Sequence, residues 1–298
     1  MVEKKALVIG GAGFMGSHTA DELSRRGYVV TILDVVASPW LRDGQMMIVS
    51  SLNETSELRQ AMKGADVVFH FAGVADIADA KQNPCATIDS NVMGVAKVLQ
   101  VAVECGVKRF VYASTMYVYS AHGSFYRASK QAAEILIDTF QEEFGMDYTL
   151  LRFGSLYGPR SQSWNGLKRF VTQIVREGRI EYSGDGREMR EYIHVHDAAK
   201  LSVDVLDQRF ANRAITITGQ QLISVDKLFA MLFEIAGKEL TVNYGRGNGH
   251  SDHYGNTPYR YTPKPATKLV PQEFVDLGQG LLDLIEEVHI ELDSSGYR

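Results

Sequence analysis

The chain has 298 residues, 22% of them charged, and a formal net charge of −5, so it carries no global basic field to attract nucleic acid or an anionic membrane. Its hydrophobic content of 45% is ordinary for a globular protein that can bury a sizeable core, and a length-based prior gives about two domains, or one domain with an appended lobe. Two cysteines, Cys85 and Cys105, form neither a disulfide framework nor a metal site, and they read as packing residues in a reducing compartment.

The N-terminal run "MVEKKALVIGG" is apolar only from Ala6 to Ile9. That is too short for a signal-peptide core, and no later stretch reaches the ~18 apolar residues of a membrane span. A cytoplasmic protein, with no membrane partner, is the expectation. "ALVIG" (6–10) predicts a strand and 14–26 a helix, followed by strands at 28–34 and 46–50, a helix near 54–63 and a strand at 66–73. Residues 89–106 predict a helix closed by a glycine, 108–115 a strand, a helix through Tyr126 to about Phe144, and 147–153 a further strand. Continuous apolar strands joined by helices imply a parallel sheet covered on both faces.

After "YGPR" (157–160) the rhythm changes. Helices at about 164–178, 196–208, 224–237 and 274–290 alternate with short β runs, "REYIHV" (190–195) and "AITIT" (214–218). This predicts a division into 1–160, with some elements returning from the C-terminal half, and a smaller α+β lobe over 161–298. Residues 243–267 are rich in glycine, proline and tyrosine, and a loop of that length in a compact protein is usually functional.

"VIGGAGFMG" sets Gly10, Gly13 and Gly16 between the first strand and the first helix. Such a turn lets backbone approach a pyrophosphate, and the helix N-terminus supplies N–H donors and partial positive charge. Asp34 ends the second strand 24 residues beyond Gly10, close to the spacing of a carboxylate that binds adenosine ribose hydroxyls. It would repel a 2′-phosphate, so NAD is favoured over NADP. Together these features predict a Rossmann-type, doubly wound α/β fold. In "FYRASK", Tyr126 and Lys130 stand four apart, on one face of a helix. A nearby ammonium favours the phenolate, which would make Tyr126 an acid/base near neutral pH. Thr115 ends the strand "VYAST" and can set a hydroxyl beside the phenol.

"GGAGFMG", Asp34, "HFAG", Asn91, "YASTMYVY", "FYRASK", "YGPR" and "GDGREMREYIHVHD" together resemble the extended short-chain dehydrogenase/reductases. More narrowly, they resemble the NAD-dependent nucleotide-sugar epimerases and dehydratases, over essentially the whole chain. The resemblance implies Tyr126 as acid/base on a sugar hydroxyl, Lys130 as its tuner and a ligand of the nicotinamide ribose, and Thr115 as the partner hydroxyl, with Ser114 as its backup. It implies NAD contacts from Gly10, Gly13, Phe14, Met15, Gly16, Asp34, Ala72 and Lys130, and a structural role for Asn91. Substrate contacts are implied at Ser114 and Ser155, and at Arg190 and Arg260 for the diphosphate, whose oxygens suit the arginine fork.

The family's 4,6-dehydratases and decarboxylases carry acidic residues just after the catalytic threonine, where this chain has Met116 and Tyr117. The resemblance therefore favours an epimerase of a nucleotide-diphosphate sugar, a UDP-sugar first, acting at C4 through a 4-keto sugar. An NAD(P)-dependent ketosugar reductase and a non-catalytic nucleotide-binding relative are the alternatives. A homodimer through the helices near 89–105 and 126–144 is implied as well. His194 and His196 lack a third ligand at metal spacing, so no metal is expected, and Asp197 reads as a helix cap. The pattern departs from the family at Ser51, at Ile9 and in the six residues "SAHGSF" before Tyr126. A short approach should open the sugar pocket or pass its cover to 243–267, with His250, His253, Tyr254, Tyr259 and Tyr261.

Overall fold

A computed structural model describes residues 3–245 and 266–294. In chain order come β1 (Lys5–Ile9), α1 (Phe14–Arg25), β2 (Val29–Asp34), β3 (Met46–Val49), α2 (Thr55–Met62), β4 (Val67–His70), α3 (Ile77–Gln82), α4 (Pro84–Ile88), α5 (Gly94–Glu104), β5 (Arg109–Thr115), α6 (Ser124–Phe144) and β6 (Asp147–Phe153). There follow β7 (Ser155–Tyr157), α7 (Gly166–Glu177), β8 (Ile180–Tyr182), β9 (Met189–His194), α8 (Val195–Asp204), β10 (Arg213–Ile217), β11 (Leu222–Ser224), α9 (Val225–Ile235), β12 (Val242–Tyr244), β13 (Ala266–Leu269) and α10 (Leu277–Ser294).

Eight strands form one sheet in the order β13-β10-β6-β5-β4-β1-β2-β3, and every neighbouring pair is parallel. The apolar runs predicted this, because a parallel strand is buried on both faces. Helices α1 and α8 cover one face through residues such as Phe14, Leu23, Ala199 and Val203. The other face is closed by α2, α5 and α6, with Leu58, Val98, Leu99, Ala133 and Ile137. The winding direction reverses between β1 and β4, and ligands of open α/β sheets bind outside the carboxyl ends of strands at such a point. A second core packs α7, α9 and α10 against β7 and β9 through Phe170, Phe229, Leu281 and Tyr157.

The boundary after residue 160 does not divide the sheet. "AITIT", expected in the smaller lobe, is β10, paired in parallel with β6, and β13 extends the same sheet beyond it. Ala214, Ile215 and Ile217 are fully buried, and a run apolar on both faces needs a two-sided core that the small lobe's three-stranded sheet, β11-β9-β7, does not supply. The helix expected over 89–106 opens with a π-helical turn, Asp89–Met93. The strand expected over 66–73 ends at His70, and Gly73, with φ +135°, lies in the turn that follows. The segment read as a loop from 243 begins inside β12 and ends inside β13. Arg260, His250, His253, Tyr254, Tyr259 and Tyr261 lie outside the described residues. Among the described residues, no helix is long and apolar enough to cross a membrane.

Candidate active site

At the carboxyl end of β1 the chain turns through Gly10, with φ +80°. A Cβ there would sit 2.5 Å from the Ala72 backbone nitrogen, and one on Gly16 would overlap the Gly10 carbonyl oxygen. Backbone therefore lies on backbone in this turn, and only glycine fits both positions. Gly13 is the N-cap of α1, so the first N–H groups of the helix, including those of Phe14, Met15 and Gly16, have no partner inside it. Phe14 and Met15 turn their side chains into the core, which leaves backbone as their contribution to a ligand. Asp34 Oδ2 accepts from Ala12 N at 2.9 Å, so the carboxylate braces the glycine turn from the end of β2. A close-packed glycine turn, orphan helix donors and a carboxylate at the next strand end fit a dinucleotide: Gly10, Gly13 and Gly16 would admit the pyrophosphate, and Asp34 the adenosine ribose.

Two strands away, β5 ends at Thr115, and α6 brings Tyr126 and Lys130 against that end. The Thr115 side chain stands beside the Tyr126 hydroxyl, close enough to favour its anion, and the Thr115 hydroxyl accepts from Tyr117 N at 3.2 Å. Lys130 is buried, donates to the Ala113 carbonyl at 2.8 Å, and lies 4.7 Å from the centre of the Tyr112 ring and 5.9 Å from that of Tyr126. Burial pushes Tyr126 up to about 12, against the nearby Thr115 side chain, which favours its anion. Burial pushes Lys130 down to about 8, while Glu134 pulls it back up. The expected depression of Tyr126 by Lys130 is absent from this arrangement. The ammonium is turned to the Ala113 carbonyl, and desolvation of the phenolate outweighs a charge at that distance.

Below the pair lies a charged floor that the sequence reading missed. Arg152, fully buried in β6, grips Glu134 of α6 with Nε at 3.0 Å from Oε1 and Nη2 at 2.6 Å from Oε2. Its Nη1 donates to the Tyr119 hydroxyl at 2.7 Å. Ser114 donates to Glu134 Oε1 at 2.5 Å and is buried. Its hydroxyl is thus turned inward to Glu134, while the Thr115 side chain stands beside Tyr126. The signal was legible in part, since Glu134 follows Lys130 by one helical turn and Arg152 interrupts the apolar strand "YTLLRF".

The short approach to Tyr126 is a 3-10 turn, Met116–Tyr119, and a tight reversal in which Gly123 (φ +100°) and Ser124 (φ 48°) are both left-handed. Arg127 Nη1 donates to the Ser120 carbonyl at 3.0 Å, and Gln131 Nε2 to that of Val118 at 2.9 Å, so α6 itself holds the turn in place. The Tyr117 ring meets that of Tyr126 edge-on, with centroids 6.2 Å apart. Asn91 accepts from Val74 N at 2.7 Å and donates to the Val74 carbonyl at 2.8 Å and to Ser129 at 3.0 Å. It thereby ties the loop after β4 to α6.

Ser155 begins β7 and pairs with Tyr192 of β9, two residues from Arg190. The Arg190 Nη1 donates to the Met189 carbonyl at 2.9 Å. Where the two lobes meet, His18, His194 and His196 stack edge-on, His196 lying 4.8 Å from each of the others. Burial is the first cause in each: it holds His18 down at about 3 and His194 at about 4. Among the described residues, no group of three or more His, Cys, Asp or Glu could hold a metal ion. The expected cap at Asp197 is corrected. His194 Nδ1 accepts from His196 N to cap α8, whereas Asp197 Oδ2 accepts from Val275 N at 2.9 Å and ties down the segment leading to α10.

The family model described as "NAD dependent epimerase/dehydratase family" matches residues 6–217. The structure is similar to that of a UDP-glucose 4-epimerase from Thermotoga maritima with UDP-glucose, at 25% identity and a TM-score of 0.81, over 97% of this chain and 99% of that one. An uncharacterized UDP-glucose epimerase of Bacillus subtilis is 26% identical over 80% of this chain and 84% of its own length. A dTDP-glucose 4,6-dehydratase of Streptomyces griseus is 29% identical over 95% and 93%. With the glycine turn, Asp34 and the Thr115–Tyr126–Lys130 group at the strand ends, the chain belongs to the NAD-dependent epimerase/dehydratase family.

Proposed function

We propose that this protein is an NAD-dependent epimerase of a nucleotide-diphosphate sugar, a UDP-sugar by preference, that inverts C4 through a transient 4-keto sugar. The observation that carries this reading is the pairing of Tyr126 with Thr115 beside the glycine turn, with Met116 and Tyr117 where an elimination would need carboxylic acids. When bound, oxidised NAD supplies a hydride acceptor and a positive charge that favours the phenolate of Tyr126. Tyr126 takes the proton of the sugar hydroxyl and returns it when the alcohol re-forms on the other face. Thr115 holds the phenol in line, and Lys130 keeps a cation beside it. Arg190 is suited to the diphosphate, because guanidinium binds phosphate oxygens in pairs. Asp34 favours NAD over its 2′-phosphate, which fits a cofactor regenerated within each cycle. The relatives named for UDP-glucose support the choice of a UDP-sugar. A cytoplasmic homodimer completes the proposal, with the exposed Ile135 and Phe144 of α6 as candidate apolar contacts.

The test is proton NMR of the purified protein with UDP-glucose and, separately, UDP-N-acetylglucosamine, with no cofactor added. A new anomeric signal from the 4-epimer, absent with Tyr126→Phe, is the expected result. No conversion of either sugar overturns the proposal in this form.

A further inference from the structure

We infer that Glu134 is a positioning residue of the catalytic site, whose buried carboxylate, clamped by Arg152 and Ser114, holds Lys130 in its charged form beside Tyr126. The inference rests on Tyr126 and Lys130 being the acid/base pair. Successive turns of α6 put Tyr126, Lys130 and Glu134 in one row. Ser114 and Arg152 are register partners on β5 and β6, so both reach the same carboxylate from the sheet, at 2.5 Å and at 2.6 to 3.0 Å.

A fold that needed only stability would not require this pair. Well-packed apolar residues often replace a buried ion pair at no loss. What an apolar floor would not provide is a negative charge under a buried lysine. Lys130 is faced by His70 from β4, by Tyr112 from β5, and by Tyr126 and Glu134 from its own helix; Arg152 of β6 faces Glu134. Burial holds His70 down at about 3, and it raises both Tyr112 and Tyr126, so all three are neutral near pH 7. Neither ring nitrogen of His70 nor the Tyr112 hydroxyl has a hydrogen-bond partner among the described residues. The Ala113 carbonyl accepts from Lys130 but carries no net charge. Among the described groups facing Lys130, Glu134 is the one anion, and its charge raises Lys130 against the desolvation of the ammonium.

The experiment follows Lys130 directly and through turnover, in wild type, Glu134→Gln and the double variant Glu134→Gln/Arg152→Met. Carbon-13 lysine labelling, with the Lys130 signal assigned by its loss in Lys130→Arg, gives the titration midpoint without any substrate. The midpoint is expected to fall by about one pH unit in Glu134→Gln, which leaves the charge of Arg152 uncompensated, and by less in the double variant, which removes a charge of each sign. The alkaline limb of kcat/KM for UDP-glucose should move with it, which is about a tenfold loss above the limb. Glu134→Gln strands a buried Arg152, and if it fails to fold, the double variant carries the test. An unmoved Lys130 midpoint, with only the melting temperature lowered, would assign Glu134 to packing and overturn the inference. If neither UDP-sugar turns over, the lysine titration decides alone, so failure of the proposed reaction and failure of this inference are separately visible.

Discussion

The carboxyl ends of β1 and β5 stand two strands apart in one sheet and are built in opposite ways. At β1 the work falls to missing side chains: Gly10 and Gly16 let backbone touch backbone, and the donors offered to a ligand are main-chain N–H groups. At β5 it falls to side chains, a hydroxyl and a phenol above a lysine, above a buried carboxylate held by an arginine. The first site binds a charge that arrives with its ligand and needs space and preset dipoles. In the proposed reaction the second must move a proton, so it needs groups whose protonation is held by fixed neighbours.

The contrast can be broken from its most demanding point. Tyr126→Phe should lower turnover by about 10²–10⁴-fold with the fold intact, since it removes one hydroxyl and leaves the ring in place beside Tyr117. Steady-state rates beside the near-UV circular dichroism spectrum check this. On the same side, Arg152→Met should cost about 3–5 kcal/mol, because it leaves Glu134 charged and unpaired in the interior. Urea unfolding reads the loss, and Glu134→Gln/Arg152→Met should recover most of it.

At the β1 site, Gly16→Ala should cost about 1–3 kcal/mol by overpacking, since its Cβ would collide with the Gly10 carbonyl oxygen. It should also strip the purified protein of NAD, which absorbance and thermal melting register together. A variant that keeps full NAD content would show that the turn has room to yield.

The smallest effect per step concerns the histidine junction between the lobes. His18 and His194 have folded values of about 3 and about 4, below the ordinary 6.5. Above pH 6.5 both are neutral, folded or unfolded, and contribute nothing to the pH dependence. Below it the unfolded chain takes up protons first, so stability falls by about 1.4 kcal/mol per histidine for each pH unit, down to the folded values. Denaturant midpoints at descending pH should show that slope, and His18→Asn should remove the part that belongs to His18, about 1.4 kcal/mol per pH unit.

Much of the first site was legible in the chain, because it is local. A strand, three glycines and a helix are contiguous, and Asp34 lies at the end of the next strand. Tyr126 and Lys130 were legible for the same reason, as neighbours on one helix face. The protonation state was not. Proximity alone predicted a depressed Tyr126, whereas burial raises it to about 12. The floor was also hidden, because Glu134, Arg152, Ser114 and Tyr119 meet only when α6, β5, β6 and the 3-10 turn have packed together. "AITIT" was misplaced in the smaller lobe because a strand's apolar run states that it must be buried, not beside which strand.

What the sequence determined by itself are the features set by short-range geometry: the alternation of strand and helix, the glycine turn with its carboxylate, and the helical row that carries Tyr126 and Lys130. Tertiary structure alone decided which hydroxyl faces the phenol, which carboxylate faces the lysine and which strands complete the sheet. The physical reason is that desolvation and long-range charge depend on everything packed around a group, and residues distant in the chain supply most of that surround.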